Sequence, residues 1–207
     1  MTILVGKKAP DFTTQAVLAD GEIVDNFNLS EAIKGKYAIV FFYPLDFTFV
    51  CPTEIISMDN RIDQLTALGV EVVGVSIDSH FTHNAWRNTD RDNGGIGEVK
   101  FTLAADMDHS ICRAYGVESD GGDSYYPAGV AMRGTFIIDQ KGFVRAMMVN
   151  DEPVGRNMDE CVRIVQAFQH FEENGVVCNA GWTEGDTGFQ NTPEKVAEFL
   201  GQQSDKL

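Results

Sequence analysis

The sequence has 207 residues, of which 43% are hydrophobic and 10% aromatic, so a chain of this length can bury a core of its own. Its 16 Lys and Arg residues stand against 31 Asp and Glu residues, and the net charge of −15 argues against nucleic acid as a partner, because phosphates would be repelled. The longest apolar stretch, residues 37–44, is far short of the roughly 18 residues of a membrane span. Since no secretory signal pattern is found either, we expect a cytoplasmic protein without membrane contact.

Alternating strand and helix patterns run through most of the chain. Short apolar runs rich in β-branched and aromatic residues predict four strands, at residues 37–43, 70–77, 135–138 and 143–149. Apolar residues at three- and four-residue spacing predict four helices, at residues 53–68, 79–88, 108–115 and 157–173. This order predicts an α/β fold with flanking helices, in which a hairpin turn at residues 139–142 makes the central sheet mixed.

The composition changes after Gly175. Residues 179–191 are rich in Gly, Asp, Glu and Thr, and a short helix capped by Thr192 follows them. We therefore predict one domain over residues 1–175 and a C-terminal extension over residues 176–207. The extension carries several large apolar side chains, which indicate that its helix docks on a protein surface.

The four cysteines lie at positions 51, 112, 161 and 178. They form no Cys-x-x-Cys pair and show no zinc-ligand spacing, so we expect no metal centre. In a cytoplasmic chain most thiols are reduced, and a cysteine with a purpose is more often catalytic than structural. Cys112 and Cys161 fall on apolar helical faces and are expected to be core thiols.

Cys51 has the most informative surroundings. It stands between the predicted strand at residues 37–43 and the helix that follows, and Pro52 places it at the N-cap or in the first turn of that helix. A cysteine ionises more readily there, because unpaired amides and the positive end of the helix dipole face it. Thr48, three residues earlier, can direct its hydroxyl to the same place. The segment predicts a reactive cysteine, with a buried and inert one as the alternative.

Pro44, Thr48 and Cys51 form the pattern Pro-x-x-x-Thr-x-x-Cys. On this pattern the chain resembles the typical two-cysteine peroxiredoxins, of the alkyl hydroperoxide reductase C or thioredoxin peroxidase type, over nearly its whole length. Further matching stretches are residues 94–97, 110–117, 133–139 and 177–182. The resemblance implies a thioredoxin-like fold with a C-terminal extension, in agreement with the predicted α/β order.

The resemblance also implies roles for single residues. Cys51 matches the peroxidatic cysteine, Thr48 the hydroxyl that orients the peroxide, and Pro44 the shield against bulk water. Arg133 matches the arginine that stabilises the sulfur anion and polarises the peroxide, a task suited to a rigid guanidinium fork. Glu54 resembles the glutamate that tethers this arginine.

Cys178 matches the family's resolving cysteine, which attacks the Cys51 sulfenic acid of a partner subunit. The implied function is a thiol-dependent peroxidase that reduces hydrogen peroxide and organic hydroperoxides, needs no metal or organic cofactor, and is recycled by thioredoxin or a dedicated flavoprotein reductase. The family also implies a homodimer that assembles into a decamer. The alternatives are a holdase chaperone or peroxide sensor of the same family, and a one-cysteine mechanism with an external resolving thiol.

The remaining candidates have simpler interpretations. His80 and His83 have no third ligand nearby in sequence and are expected at the surface or as capping residues. The glycine-rich residues 94–97 lack the strand and helix context of a phosphate site. Two departures from the family, Asn179 and Thr102 where proline is usual, remove no reactive group. The tail also lacks the Tyr-Phe pair of overoxidation-sensitive relatives, so we expect intermediate sensitivity at most.

Overall fold

The computed structural model describes residues 3–206, and its centre is a seven-stranded mixed sheet in the order β2-β1-β5-β4-β3-β6-β7. The strands are β1 (Thr13–Val17), β2 (Ile23–Asn28), β3 (Tyr37–Phe42), β4 (Val70–Ser76), β5 (Thr102–Ala105), β6 (Arg133–Ile138) and β7 (Val144–Asn150). The helices are α1 (Leu29–Ala32), α2 (Cys51–Asp59), α3 (Ile62–Ala67), α4 (His80–Arg87), α5 (Ser110–Tyr115), α6 (Met158–Asn174) and α7 (Pro193–Gln203). Short 3₁₀ turns lie at Arg91–Asn93 and Ser204–Lys206.

The chain divides after Met158 into two compact units, of which the first contains the sheet and the second contains α7 and nearly all of α6. The domain boundary predicted at residue 175 stays a prediction. Within the described residues, no helix has both the length and the apolar character that a membrane crossing requires.

Strand β3 leads into the loop that precedes Cys51. It pairs in parallel with β4 and antiparallel with β6, and all six of its residues are buried, as expected for a strand covered on both faces. Phe41 is the register partner of Thr135. Because β6 runs antiparallel to β3, its first residue, Arg133, lies at the end of the sheet where β3 finishes. The loop of residues 43–50, which follows β3, therefore starts close to Arg133.

The predicted α/β order with a mixed sheet is confirmed, but several elements differ. The single helix predicted at residues 53–68 is wrong, because the chain forms α2 and α3 with a break at Asn60 and Arg61. There the Arg61 amide bonds to Met58 O at 3.0 Å, a tighter turn that ends α2. Three strands escaped the sequence analysis, since β1 and β2 are partly exposed and polar and β5 has only four residues.

Helix α4 corrects a second expectation. His80 and His83 were expected at the surface or as caps, but both are buried, with 4% and 0% of their surface exposed. The cap is instead Ser79, whose hydroxyl accepts a hydrogen bond from the Thr82 amide at 3.2 Å. The helix packs against β1 and β5, so that its inward face carries the two histidines together with Trp86.

The glycine-rich loop after α4 packs beneath this helix. The Trp86 indole donates a hydrogen bond to Gly94 O at 2.9 Å, and the Ile96 amide donates to Trp86 O at 3.3 Å. A Cβ atom on Gly95 would stand 1.9 Å from Thr89 O, closer than any real contact. The contacts of the loop therefore explain why a glycine is needed at position 95.

We expect Gly95→Ala to lower Tm, because overpacking of this kind costs about 1–3 kcal/mol, or several degrees for a chain of this size. Gly201→Ala is the matched control, since a Cβ atom there would meet nothing within 4 Å and α7 would gain a better helix former. Thermal unfolding of both variants checks the prediction. Equal Tm values for Gly95→Ala and the unsubstituted protein would contradict it.

Candidate active site

Cys51 is the first residue of α2, and Pro52 is the second, as the sequence analysis predicted. The cysteine is buried, with 1% of its surface exposed. The first amides of a helix lack partners within the helix, and together with the dipole they place partial positive charge near this sulfur. Partial positive charge and the exclusion of bulk water therefore coincide at Cys51.

Arg133 contacts this sulfur directly. Its Nη1 donates hydrogen bonds to Cys51 Sγ at 3.4 Å and to Glu54 Oε2 at 2.8 Å. Its Nε donates to the backbone oxygen of Glu152 at 2.8 Å, which fixes the plane of the guanidinium. Burial alone would lower the pKa of Arg133, but the hydrogen bond to Cys51 and the charge of Glu54 raise it overall, so the group stays charged.

Glu54 lies three residues after Cys51, on the same face of α2, and is the hub of the site. Besides Arg133, it binds Arg156, whose Nε reaches Glu54 Oε1 at 2.8 Å and whose Nη2 reaches Oε2 at 2.9 Å. The Arg156 amide also donates to Oε1, at 2.8 Å. Burial alone would raise the pKa of Glu54, but the hydrogen bonds and charge of Arg156, joined by the charge of Arg133, hold it below its usual value. The carboxylate is therefore ionised at neutral pH.

Arg156 was missed by the sequence analysis. Its Nη1 donates to Gly134 O at 2.7 Å and to Thr135 Oγ1 at 3.1 Å, and its guanidinium lies 5.5 Å from the ring centre of Phe41. An arginine in a polar loop ahead of a helix looks like a surface residue in the sequence. Only the fold reveals its partner, Glu54, which is 102 positions away in the chain.

Pro44 and Thr48 lie in the loop of residues 43–50. Pro44 is buried and Thr48 is half-buried, and the Thr48 hydroxyl donates to Leu45 O at 2.9 Å, which closes a turn. Phe47 has a φ of 53°, a value that bulky residues adopt only when their surroundings enforce it. The loop therefore has a defined shape, while the roles of Pro44 and Thr48 toward a peroxide stay predictions.

A buried polar network anchors this loop, and the sequence analysis missed it as well. The Asp46 carboxylate accepts a hydrogen bond from Tyr43 Oη at 2.9 Å and lies 2.7 Å from His83 Nδ1. The Asp46 amide donates to Asp78 Oδ2 at 2.9 Å. Burial raises the pKa of Asp46, although the hydrogen bond and charge of His83 act in the opposite direction. The network ties the loop to α4 and to the end of β4.

Cys178 belongs to the second unit and is half-buried. Its thiol donates to Ala167 O at 3.4 Å, and the neighbouring Val177 forms a two-way backbone bridge with Phe189, at 2.8 and 3.2 Å. Burial raises the pKa of Cys178, and the charge of Arg163 partly offsets this. The four cysteines, each in the described part of the chain, form no disulfide, and the predicted burial of Cys112 and Cys161 is confirmed.

One further cluster has ligand types suited to a metal. Donor atoms of His109, Cys112 and Glu118 all lie within 4.8 Å of one another. The Glu118 carboxylate, however, already accepts hydrogen bonds from Arg113 Nε at 2.7 Å and Nη2 at 2.9 Å. Burial and the charge of Asp106 raise the pKa of Cys112 far above its usual value, which favours the thiol over the thiolate that a metal binds. We therefore assign no metal to this cluster.

We expect Glu54→Gln to destabilise the protein by about 3 kcal/mol at pH 7, because it leaves two buried guanidinium groups without their carboxylate. The pKa of Glu54 is lowered in the folded state, so its contribution is present above the unfolded value of about 4.3 and is lost as the pH falls through the folded value. Urea unfolding at pH 7 and below pH 4 checks this. Glu22→Gln, at an exposed position, is the control, and equal stability of both variants at pH 7 would contradict the prediction.

Comparison with known proteins agrees with this geometry. A family model described as the AhpC/TSA family matches residues 5–147, and one described as the C-terminal domain of 1-Cys peroxiredoxin matches residues 167–202. The chain is 48% identical to alkyl hydroperoxide reductase C of Helicobacter pylori, over 99% of this chain and 100% of that protein. It is 46% identical to peroxiredoxin-1 of Gallus gallus, over 96% of each.

A solved structure extends the comparison to the fold. The reduced 2-Cys peroxiredoxin of Plasmodium vivax matches with a TM-score of 0.90 and 41% identity, over 97% of this chain and 100% of that one. The predicted thioredoxin-like fold is thus confirmed in its peroxiredoxin form. From the family match, the full-length relatives and the shared fold, it follows that this chain belongs to the AhpC/TSA family of peroxiredoxins.

Proposed function

We propose that this protein is a thiol-dependent peroxidase that reduces hydrogen peroxide and organic hydroperoxides with Cys51. The observation that carries the proposal is the 3.4 Å contact between Arg133 Nη1 and Cys51 Sγ. It lies at the start of a helix and is closed to bulk water. A cation and a helix N-terminus that meet at one sulfur are the conditions that turn a cysteine into a nucleophile. The relatives named as peroxiredoxins and alkyl hydroperoxide reductases support the same reaction.

The proposed first step is a displacement at oxygen. The Cys51 thiolate attacks the terminal oxygen of the hydroperoxide, the O–O bond breaks, and the new S–O bond leaves a sulfenic acid. The departing oxygen takes up a proton and leaves as an alcohol, or as water when the substrate is hydrogen peroxide. Arg133 can stabilise the thiolate before the attack and the peroxide oxygens during it, while Thr48 orients the peroxide and Pro44 shields the site.

In the proposed second step, Cys178 of a partner subunit attacks the sulfenic acid, water leaves, and an intersubunit disulfide forms. A disulfide needs Cα atoms within about 7 Å of each other, so the first turn of α2 has to open before the two sulfurs meet. An external dithiol then reduces the disulfide, and thioredoxin or a dedicated flavoprotein reductase fits this role. We further propose a cytoplasmic location, where such systems keep thiols reduced, and a homodimer that assembles into a decamer.

We expect one equivalent of the reduced protein to consume about one equivalent of hydrogen peroxide, and Cys51→Ser to slow this by at least about 10³-fold. Peroxide loss measured in a stopped-flow instrument checks this, with Cys112→Ala as a control in which another buried thiol is removed. Rapid peroxide loss in Cys51→Ser would contradict the proposal. Protection of client proteins that survives Cys51→Ser, without turnover in the parent protein, would favour the holdase alternative.

We also expect peroxide to produce a disulfide-linked dimer that is absent in Cys178→Ser, as judged on a non-reducing gel. Since burial raises the pKa of Cys178 and the thiolate is the attacking form, dimer formation should accelerate between pH 6 and pH 8, by up to roughly tenfold per unit. Quenched samples taken over time at each pH measure this rate. A dimer that forms equally well in Cys178→Ser, or no dimer at all as in a one-cysteine mechanism, would contradict the second step.

A further inference from the structure

The segment between α5 and β6 forms a closed loop, residues 119–130, to which the proposed reaction assigns no role. Two backbone hydrogen bonds shut its base: the Ser119 amide donates to Val130 O at 2.9 Å, and the Gly129 amide donates to Ser119 O at 2.8 Å. Gly121 and Gly122 have φ values of 87° and 38°, which allow the chain to reverse at the tip. We call this segment the 119–130 loop.

Tyr126 points from this loop to the strand that carries the catalytic arginine. Its hydroxyl accepts a hydrogen bond from the Arg133 amide at 2.8 Å and donates one to Asn150 O at 2.9 Å. Arg133 and Asn150 are register partners at the end of the β6 and β7 ladder, so one phenol joins the ends of both strands. Tyr126 is buried, and burial raises its pKa to about 12, which keeps the donated proton in place at neutral pH.

The same loop reaches the arginine side chain by a second route. The Ser124 hydroxyl donates to Asp151 Oδ1 at 2.6 Å, and this oxygen also accepts a hydrogen bond from the Glu152 amide at 2.8 Å. The backbone oxygen of Glu152 in turn accepts the hydrogen bond from Arg133 Nε at 2.8 Å. The 119–130 loop thus contacts the backbone of Arg133 through Tyr126. Through Ser124 and Asp151 it also supports Glu152, whose backbone oxygen fixes the guanidinium plane.

We propose that Tyr126 is a positioning residue for the reaction at Cys51, because its hydroxyl fixes the backbone from which Arg133 reaches the sulfur. The inference rests on the proposed peroxidase function and deepens it. From this backbone position, Arg133 Nη1 meets both Cys51 Sγ and Glu54 Oε2, at 3.4 and 2.8 Å. A displacement of about 1 Å in a reacting group can cost about 10²-fold in rate, so the anchor of this backbone controls the reaction without touching the substrate.

Tyr126→Phe tests the proposal, because it removes only the hydroxyl. Tyr125→Phe is the matched control: the adjacent tyrosine is 76% exposed. The second-order rate of reduced Cys51 with hydrogen peroxide should fall about tenfold in Tyr126→Phe and stay unchanged in Tyr125→Phe. Alkylation of reduced Cys51 by iodoacetamide at pH 7 should slow in the same variant, because Arg133 Nη1 would no longer be held at 3.4 Å from the sulfur. A purely structural role would lower Tm and leave both readouts unchanged.

Ser124→Ala provides a second variant at the partly exposed side of the loop, and it should give a smaller decrease in the same rate. If the parent protein reacts with peroxide and both Tyr126→Phe and Ser124→Ala react as fast as Tyr125→Phe, the proposal is overturned. If Tyr126→Phe does not fold, an unchanged rate in Ser124→Ala overturns it alone. A parent protein without any peroxide reaction would instead overturn the proposed function, so the two failures can be told apart.

Discussion

The site depends on one buried carboxylate that two buried arginines share. Glu54 binds Arg133 and Arg156 through four hydrogen bonds of 2.8 to 2.9 Å, and all three side chains are almost fully buried. Buried charges of this kind need partners, because an unpaired charge closed off from water is costly. Glu54 pairs with both guanidinium groups, and the partly exposed Glu152 carboxylate lies 3.6 Å from Arg133 Nη2. The sulfur of Cys51 meets the same guanidinium at 3.4 Å, through Nη1.

The fold brings these groups together from distant parts of the chain. Cys51 and Glu54 enter on the first turn of α2, and Arg133 enters on β6, which runs antiparallel to β3 and so begins where β3 ends. Asp46 fixes the loop between β3 and α2, because its carboxylate accepts a hydrogen bond from the Tyr43 hydroxyl and lies 2.7 Å from His83 Nδ1. The helix that carries the sulfur is thus held both at its entry loop and at its Glu54 face.

Much of this arrangement could be predicted from the sequence, because the signals were local. The buried strand before Cys51, Pro52 after it, and the three-residue spacing to Glu54 all lie within the 18 positions of residues 37–54. The long-range partners were not readable in the same way. In the sequence, Arg156 looks like a surface residue, because its contact with Glu54 is visible only in the fold. In the same way, His83 looks like an ordinary polar helix residue, because its contact with Asp46 is visible only in the fold. The strands β1 and β2 were missed because their exposed polar residues hide the alternation that marks a strand.

The claim that matters most is that the charge of Arg133 makes Cys51 reactive. Its most direct test is the second-order rate of the reduced protein with hydrogen peroxide in Arg133→Gln, which removes the charge and replaces the guanidinium by a shorter, uncharged amide. We predict a rate at least about 10²-fold lower than that of the unsubstituted protein, the size of effect seen when an electrostatic donor is taken from an active site. A rate within about twofold of the unsubstituted protein, with the fold intact, would contradict this account.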